Sequence, residues 1–236
     1  MNETPIMTGA NPTLEDLQIF LNENFDFRYN VLTDMPECKP KNTTTYRMID
    51  KRMMNSLSYK AMMQGIDCKD ADVKRFLFSD QIVTHHPFKD YIATLPEWDG
   101  TDRVTMLAAR VSGKAMWLNG FHRWMLGMVA QWLGYPARCA NALAPILISA
   151  EQGMCKSTFC SILLPEELRG YYTDKFAITS TSGCEQKIST FGLINMDEFD
   201  MYTERMMTIL KNLMQMKKVN YRKCFKAYFS DLPRIA

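Results

Sequence analysis

The cysteines of this chain show no pairing that would organise a fold. The 236-residue sequence holds seven cysteines, an odd number, and none is spaced C-x-x-C from another. We therefore expect neither a disulfide framework nor a structural zinc site. Free thiols used in this way are typical of a protein in a reducing compartment, and we predict a cytoplasmic location.

A targeting segment and long apolar runs are also lacking. The start, MNETPIMTGANPT, has no basic stretch followed by an apolar one, so we expect no signal peptide. The longest apolar run near the centre, ALAPILISA, is too short to span a bilayer. The sequence also lacks internal repeats and low-complexity tracts. We therefore expect a globular protein of one or two domains without a membrane partner.

Acidic residues are scarce near the end of the sequence. The whole chain has a net charge of +2, but residues 201–236 carry eight basic side chains against two acidic ones. This segment therefore has a net charge of +6, which leaves −4 for the first 200 residues. A basic segment on a nearly neutral chain indicates a polyanionic partner.

The first third of the sequence has mainly helical patterns. NPTLEDLQIFLNENF has apolar residues at helical spacing and acids near its start, which predicts a helix. FDFRYNVLTD alternates as a short strand does, and the Pro, Asn and Thr content of PECKPKNTTT predicts a loop. Residues 48–80 are predicted to be mostly helical, with a break at Gly65.

Between residues 85 and 135 the pattern changes from a segmented linker to one long helix. Two prolines and an Asp-Gly turn break up the stretch HHPFKDYIATLPEWDGTDRV. Beyond it, large apolar side chains recur at spacings of 4, 3, 4 and 4 residues: Trp117, Phe121, Trp124, Met128 and Trp132. This stripe predicts a helix whose aromatic face packs in a core rather than one that binds a base or a cofactor.

The last hundred residues alternate short apolar runs with helical patterns. APILISA predicts a buried strand, KSTFCSILL a helix that Pro165 ends, and FGLINMDEFD a second buried strand followed by acids. YTERMMTILKNLMQMKK predicts a further helix, with these residues on one face: Met206, Leu210 and Leu213. This order of elements is typical of an α/β protein.

A candidate phosphate-binding loop lies between the first of these strands and its helix. A helix that opens with Lys-Ser-Thr directs its first N–H groups and its dipole toward an anion. We predict that Lys156 reaches the outer phosphates of ATP and that the hydroxyl of Ser157 holds Mg²⁺. The predicted ATP-binding residues are Gln152, Gly153, Met154, Cys155, Lys156, Ser157 and Thr158.

The loop departs from the pattern G-x-x-x-x-G-K-[ST] at two positions. Ala150 takes the place of the first glycine, and Cys155 takes the place of the last. A methyl group fits many turns, but a Cβ at position 155 crowds the phosphate or resists the backbone angle that glycine adopts. We therefore expect weak nucleotide binding. A thiol at a helix start beside a lysine leaves redox control open as an alternative to a tolerated substitution.

The second predicted strand supplies the acids that an ATPase site needs. Asp197 and Glu198 stand at its end, 41 residues beyond Lys156. In P-loop ATPases one strand-end acid holds the Mg²⁺ shell and another orients the attacking water. We predict Asp197 as the metal ligand, with Lys156 and Glu198 as the catalytic residues and Glu198 as the general base. The alternative is an ordinary strand–helix turn with a surface lysine.

At these residues the sequence resembles the virulence-associated E family, the P-loop ATPases of mobile elements, phages and pathogenicity islands. The resemblance runs in family order over roughly residues 85–236, and LPEWDGTDR is its most distinctive part, since generic P-loop proteins lack it. The family is similar to superfamily 3 helicases and to the helicase half of primase–helicase proteins. The matching stretches are HHPFKDYIATLPEWDGTDRV, RWMLGMVAQWLG, EQGMCKSTFCSILLPEELRGYYTD, INMDEFD and VNYRKCFKAYFSDLPRIA.

The resemblance implies a fold and an activity. The activity is Mg²⁺-dependent ATP hydrolysis coupled to DNA replication of a phage or mobile element, by a homo-oligomeric ring on single-stranded or forked DNA. We predict an α/β protein with a mostly α accessory domain over residues 1–80 and a helical lead-in over 81–135. Residues 136–236 then form a P-loop ATPase core, an incomplete parallel sheet with helices on both faces.

The basic residues near the end have two interpretations besides a solvated surface. They contact DNA phosphates, each in a salt-dependent way, or one arginine reaches a neighbouring subunit's γ-phosphate as an arginine finger. The resemblance places the family's basic stretch on Arg222, Lys223 and Arg234. The full set of candidates is Lys217, Lys218, Arg222, Lys223, Lys226 and Arg234.

The resemblance also implies a strand that this sequence lacks. In the family, a strand with a γ-phosphate-sensing polar residue follows the DLPRIA segment and lies between the two predicted strands. Without it we expect an incomplete sheet and poor ATP hydrolysis by a truncated product. Two alternatives stay open: a truncated or decayed P-loop domain that binds DNA or a protein without turnover, and a P-loop kinase of small molecules.

Overall fold

The computed structural model describes residues 12–135, 140–178, 181–221 and 230–236 of the chain. It is a mixed α/β structure that divides into two compact units, Met1–His86 and Pro87–Ala236. The domain boundaries predicted at residues 80 and 135 stay predictions. In the described ranges, no helix is both long and apolar enough to cross a bilayer.

The first unit combines helices with a four-stranded mixed sheet. Strand β1 (Phe25–Asn30) runs antiparallel to β2 (Met35–Pro40) and parallel to β4 (Thr84–His85), and with β3 (Arg47–Met48) the strand order is β3-β2-β1-β4. Apolar side chains of the three helices form its core together with β1 and β2. Its elements in chain order are α1 (Pro12–Asn24), β1 (Phe25–Asn30), β2 (Met35–Pro40), β3 (Arg47–Met48), α2 (Lys51–Met63), α3 (Asp70–Leu77) and β4 (Thr84–His85).

The loop predicted for PECKPKNTTT is wrong over its first half, because Met35–Pro40 forms β2 and pairs with β1 along its whole length. Arg28 Nε donates to Glu37 Oε2 at 2.6 Å across this pair, and the Cys38 side chain is buried in the core. These cross-strand contacts override the turn preference of proline and asparagine. The mostly α character expected for the first 80 residues is thereby corrected to a mixture of helices and sheet.

The second unit holds mainly helices and short strand pairs. Strands β5 and β6 run parallel, whereas β7 and β8 run antiparallel. The prediction of a purely parallel sheet is therefore wrong, because the strand pairing in the second unit is partly parallel and partly antiparallel. The elements of the second unit in chain order are α4 (Pro87–Ala93), α5 (Arg103–Ala109), α6 (Ala115–Leu133), α7 (Lys156–Ile162), a 3₁₀ turn (Glu166–Tyr171), β5 (Tyr172–Thr173), α8 (Thr181–Thr190), β6 (Leu193–Ile194), a second 3₁₀ turn (Phe199–Met201), α9 (Glu204–Gln215), β7 (Lys218–Tyr221) and β8 (Ser230–Pro233).

The buried strand predicted for APILISA is wrong in this structure. Residues 140–149 lie outside any strand, and the side chains of Ile146 and Ile148 are 60% and 89% exposed. An apolar run forms a strand only when a neighbour takes up its N–H and C=O groups, and no described strand lies beside this one. The apolar run favours a strand locally, but the sequence pattern alone does not show whether a neighbouring strand pairs with it.

The distinctive LPEWDGTDR segment orders itself through its own polar side chains. The carboxylate of Asp99 accepts hydrogen bonds from the Thr101 N–H at 3.0 Å and from both terminal nitrogens of Arg103 at 2.8 and 2.5 Å. The contact with Arg103 is the main reason that the pKa of Asp99 lies below its ordinary value. Asp102 caps α5. The segment is thus a preformed turn and cap, on which the side chain of Trp98 is 77% exposed.

The aromatic stripe of α6 packs in a core, as predicted. Trp132 stacks on Phe88 of α4 with ring centroids 4.6 Å apart, and its Nε1 donates to the carbonyl of Gly192 at 3.0 Å. These contacts join α4 and α6 to the residue that precedes β6, so the stripe positions the strand that leads to the acidic pair. The buried members of the stripe are Phe121, Trp124, Met128 and Trp132.

Replacement of Gly192 by alanine is expected to destabilise the second unit by about 1–3 kcal/mol. An added Cβ would lie 2.1 Å from Cζ of the fully buried Phe88 ring, which stacks on Trp132 and has no room to move aside. Gly170→Ala is the matched control, because a Cβ there meets nothing within 4 Å. Urea denaturation of both variants checks the prediction, and equal midpoints would contradict it.

Candidate nucleotide-binding site

The predicted phosphate loop bends through two left-handed residues before α7 begins. Gly153 has φ 77° and Cys155 has φ 54°. Cys155 directly precedes Lys156, the first residue of the helix. Glycine adopts this backbone conformation freely, whereas a residue with a Cβ is strained in it by about 1 kcal/mol. The structure thus gives a physical reason for the glycine that the pattern has at this position.

Ser157 and Asp197 are hydrogen-bonded although 40 residues separate them. The Ser157 Oγ donates to Asp197 Oδ2 at 2.8 Å, and both side chains are exposed to solvent. Strand β5, which follows α7 in the chain, pairs with β6, which leads to Asp197. The Asn195 N–H extends this pairing toward Asp197 by donating to the Thr173 carbonyl at 2.8 Å. The structure therefore brings together the hydroxyl and the carboxylate that the sequence predicted as Mg²⁺ ligands.

Glu198 is held in a strained backbone conformation beside this contact. Its φ is 52°, and its N–H donates to Asp197 Oδ1 at 3.1 Å. In the described part of the chain three non-glycine residues have positive φ, and two of them are Cys155 and Glu198. Such strain concentrates at functional sites, where the surrounding structure maintains it. The two strained residues mark the two sides of the candidate site.

Neutral side chains lie next to the acidic pair. Burial, and after it the charge of Asp197, raises the pKa of the Cys160 thiol on α7. Burial is also the largest cause of the raised pKa of Tyr172 on β5, where Cys160 and Asp197 add smaller effects. Both groups therefore stay protonated near pH 7. The negative charge of the site comes from the carboxylates at the end of β6.

The remaining predicted ATP-binding residues lie at or just before the start of α7. Lys156 opens α7 and is half-buried. Gln152, Gly153, Met154 and Thr158 are exposed to solvent. Their contact with ATP stays a prediction, but the fold leaves them accessible to a ligand.

The described members of the predicted basic set fall in two different environments. Lys217 and Lys218, at the start of β7, are exposed, so a DNA phosphate can reach them. Their contact with DNA stays a prediction. Arg222, Lys223 and Lys226 lie outside the described residues. Arg234 is buried.

Arg234 is only 8% exposed, and its guanidinium binds main-chain carbonyls. Burial lowers the pKa of Arg234 to about 10, so it stays positively charged at neutral pH. It fixes the carbonyls at the end of α9, where a cation also complements the helix dipole. A DNA contact or an arginine finger at this residue would have to break these bonds. The acceptors are the carbonyls of Leu213, Met214, Met216, Ala236 and Asn141, the last at 2.7 Å.

Asn141 is the structural residue that the sequence did not indicate. Its Nδ2 donates to the carbonyl of Trp124 at 3.3 Å, and its N–H donates to Gln131 Oε1 at 3.2 Å. Its side chain fills the space over Gly127, where a Cβ would lie 2.7 Å from Asn141 Cγ. Gly127 was the available signal, since a glycine inside a long helix often marks a close approach.

The second unit is thus an α/β unit in which a Lys-Ser-Thr helix start meets the acidic pair at a strand end. The profile of the virulence-associated protein E-like domain matches residues 92–236, more than half of the chain, and the chain belongs to this family. The predicted family is therefore confirmed, whereas its relation to superfamily 3 helicases stays a prediction. A comparison with curated proteins finds no match.

Proposed function

We propose that the second unit binds Mg-ATP where the start of α7 meets the end of β6. The observation that carries this proposal is the 2.8 Å contact between Ser157 Oγ and Asp197 Oδ2. Hydroxyl and carboxylate oxygens suit Mg²⁺, which commonly completes its coordination with substrate phosphates and water.

Each polar or charged group of the candidate site has a role in the proposed reaction. Lys156 neutralises charge on the outer phosphates, and the loop N–H groups donate to phosphate oxygens. Ser157 and Asp197 would hold Mg²⁺, which stabilises the charge that develops on the phosphates when it is bound. Glu198 orients the attacking water and accepts its proton. The water oxygen bonds to the γ-phosphorus, the bond from that phosphorus to the β–γ bridging oxygen breaks, and ADP and phosphate leave.

We also propose that this activity serves DNA replication of a phage or mobile element, as part of a primase–helicase-like protein. Membership of the virulence-associated protein E-like family supports the association with such elements. The exposed Lys217 and Lys218 support a DNA contact, and a homo-oligomeric ring is the assembly that a helicase-like activity would need.

The second candidate function is binding of DNA or a protein partner without ATP turnover. The left-handed backbone at Cys155 favours it, and so does the exposed run with Ile146 and Ile148 beside the loop. Steady phosphate release that depends on Glu198 would exclude this candidate. Release into water without an acceptor would also exclude the small-molecule kinase.

Calorimetric titration with Mg-ATP tests the proposal. Lys156→Ala is expected to weaken binding about tenfold or more, because it removes charge-assisted hydrogen bonds to phosphate. Cys155→Gly is expected to tighten it, since glycine removes the Cβ that crowds a phosphate approaching the backbone at this position. Lys175→Ala is the matched control, because Lys175 is exposed and lies outside the site. Equal loss with Lys156→Ala and Lys175→Ala would overturn the nucleotide site.

A further inference from the structure

We propose that the exposed face of α2, in the first unit, binds single-stranded nucleic acid. This surface, called here the α2 face, consists of Lys51, Arg52, Asn55, Ser56, Tyr59 and Lys60. The proposal goes beyond the proposed function, because it concerns another unit and requires no nucleotide.

Positive charge predominates on the α2 face, although Asp50 caps the helix beside Lys51 and Lys60 Nζ lies 5.3 Å from the centroid of the Phe25 ring. Helix α2 contains three basic residues and no acidic one, and Lys51, Arg52 and Lys60 are all exposed. None of the three belongs to an ion pair in the described part of the chain. Four other basic residues of the first unit each pair with an acid, namely Arg28, Lys39, Lys41 and Arg75, whereas Arg47, Lys69 and Lys74 form no ion pair in the described ranges either. The α2 face thus complements a polyanion.

The helix arranges these groups in two parallel rows. Lys51, Asn55 and Tyr59 stand four residues apart and share one row, and Arg52 and Lys60 belong to the neighbouring row. The rows extend about 12 Å along the helix, since each residue adds about 1.5 Å. The six side chains line one continuous shallow groove. Cations at both ends of the groove can hold successive phosphates of one strand.

An exposed aromatic ring between the cations selects unpaired bases. The side chain of Tyr59 is 65% exposed, and Met63, the next residue of its row, is exposed as well. Stacking of a base on an aromatic ring needs a free base face, which a duplex does not offer along its length. What distinguishes this surface is that the exposed tyrosine lies among cations, so a ring for stacking and charges for phosphates share one helix face. The surface therefore fits single-stranded nucleic acid better than duplex.

The position of the cations within α2 also works against the stability of the helix. Lys51 and Arg52 lie in the first turn, which contains no acid, although the positive end of the helix dipole favours acidic residues there. Asp50 serves as the N-cap and accepts the Met53 N–H at 2.7 Å. The two cations add to the positive potential of this helix end. Placement against a local stability rule is expected where a surface has a binding role.

Fluorescence anisotropy with labelled oligo(dT) tests the proposal on the full chain without nucleotide. The variant Lys51→Gln/Arg52→Gln is expected to bind about tenfold more weakly at low salt. The slope of the logarithm of the binding constant against the logarithm of salt concentration should become shallower by about 1.4, because two phosphate contacts are lost. Tyr59→Ala is expected to lose about tenfold, whereas Tyr59→Phe keeps the ring and the affinity. A duplex of the same length should bind more weakly than oligo(dT).

The controls separate this surface from general charge effects. Lys69→Gln/Lys74→Gln removes two exposed lysines beside and on α3 and should leave oligo(dT) affinity unchanged. Lys217→Gln/Lys218→Gln reports any binding by the second unit. The proposal is overturned if the α2 variants bind oligo(dT) like the unmodified chain, if both lysine control pairs lose as much, or if duplex binds equally tightly and Tyr59→Ala has no effect. Because the experiment contains no ATP, its result does not depend on whether the second unit binds Mg-ATP.

Discussion

Replacement of Arg234 by methionine is expected to lower the free energy of unfolding by about 3–5 kcal/mol. Methionine keeps most of the apolar stem but removes the donor from the buried carbonyl of Leu213 and from part-buried carbonyls beside it. Those of Met214 at the end of α9 and of Asn141 accept from the guanidinium. Each buried carbonyl left unsatisfied costs about 1–3 kcal/mol. The loss therefore exceeds that of an ordinary surface substitution.

Urea denaturation followed by circular dichroism measures this effect. Arg205→Met is the matched control, because Arg205 is exposed on the same helix, α9. Arg234→Lys should recover only part of the loss, since an ammonium group cannot reach carbonyls in several directions at once. An Arg234→Met variant as stable as the Arg205→Met variant would contradict the structural role. If that stable variant also lost ATP hydrolysis, the arginine-finger hypothesis would be favoured instead.

Phosphate release is expected to fall about 10²–10⁴-fold in Glu198→Gln, with Mg-ATP affinity nearly unchanged. The amide keeps the size of the side chain but cannot accept the proton of the attacking water. Binding is retained because Lys156, Ser157 and Asp197 stay in place. Steady-state phosphate release and calorimetry on the same sample give the two quantities.

Asp200→Asn is the control for the loss of one negative charge near the site. Asp200 is exposed in the 3₁₀ turn that follows Glu198, and its neutralisation should leave turnover unchanged. Equal turnover by Glu198→Gln and Asp200→Asn would remove Glu198 from the reaction. If the unmodified chain binds Mg-ATP but releases no phosphate, binding without turnover becomes the better account.

The sequence predicted elements whose pattern is strong within one segment. The aromatic stripe identified α6, and the apolar face of Met206, Leu210 and Leu213 identified α9. Strand β2 was missed because its prolines and its charged residues favour a loop locally. Only the pairing of Met35–Pro40 with β1 shows it as a strand. The exposed run around Ile146 and Ile148 shows the reverse case, a strand preference without a partner.

The residues of the candidate nucleotide site could be predicted from their order along the sequence, but the role of Arg234 could not. The spacing of Lys156 and Asp197, each at a predicted element boundary, was enough to expect them in one site. Arg234 could not be assigned, because a buried arginine and a surface arginine look alike in a basic segment. Its position depends on where α9 ends and on the segment around Asn141, which are properties of the fold.

A double-mutant cycle on Mg-ATP affinity tests most directly whether Ser157 and Asp197 hold one ion. The measurement compares Ser157→Ala, Asp197→Asn and the double variant with the unmodified chain, in Mg²⁺ and in EDTA. We predict that each single variant weakens Mg²⁺-dependent binding, and that the double variant loses clearly less than the sum of the two. In EDTA the four proteins should bind alike. Additive losses in Mg²⁺, or losses that persist in EDTA, would contradict a shared magnesium site.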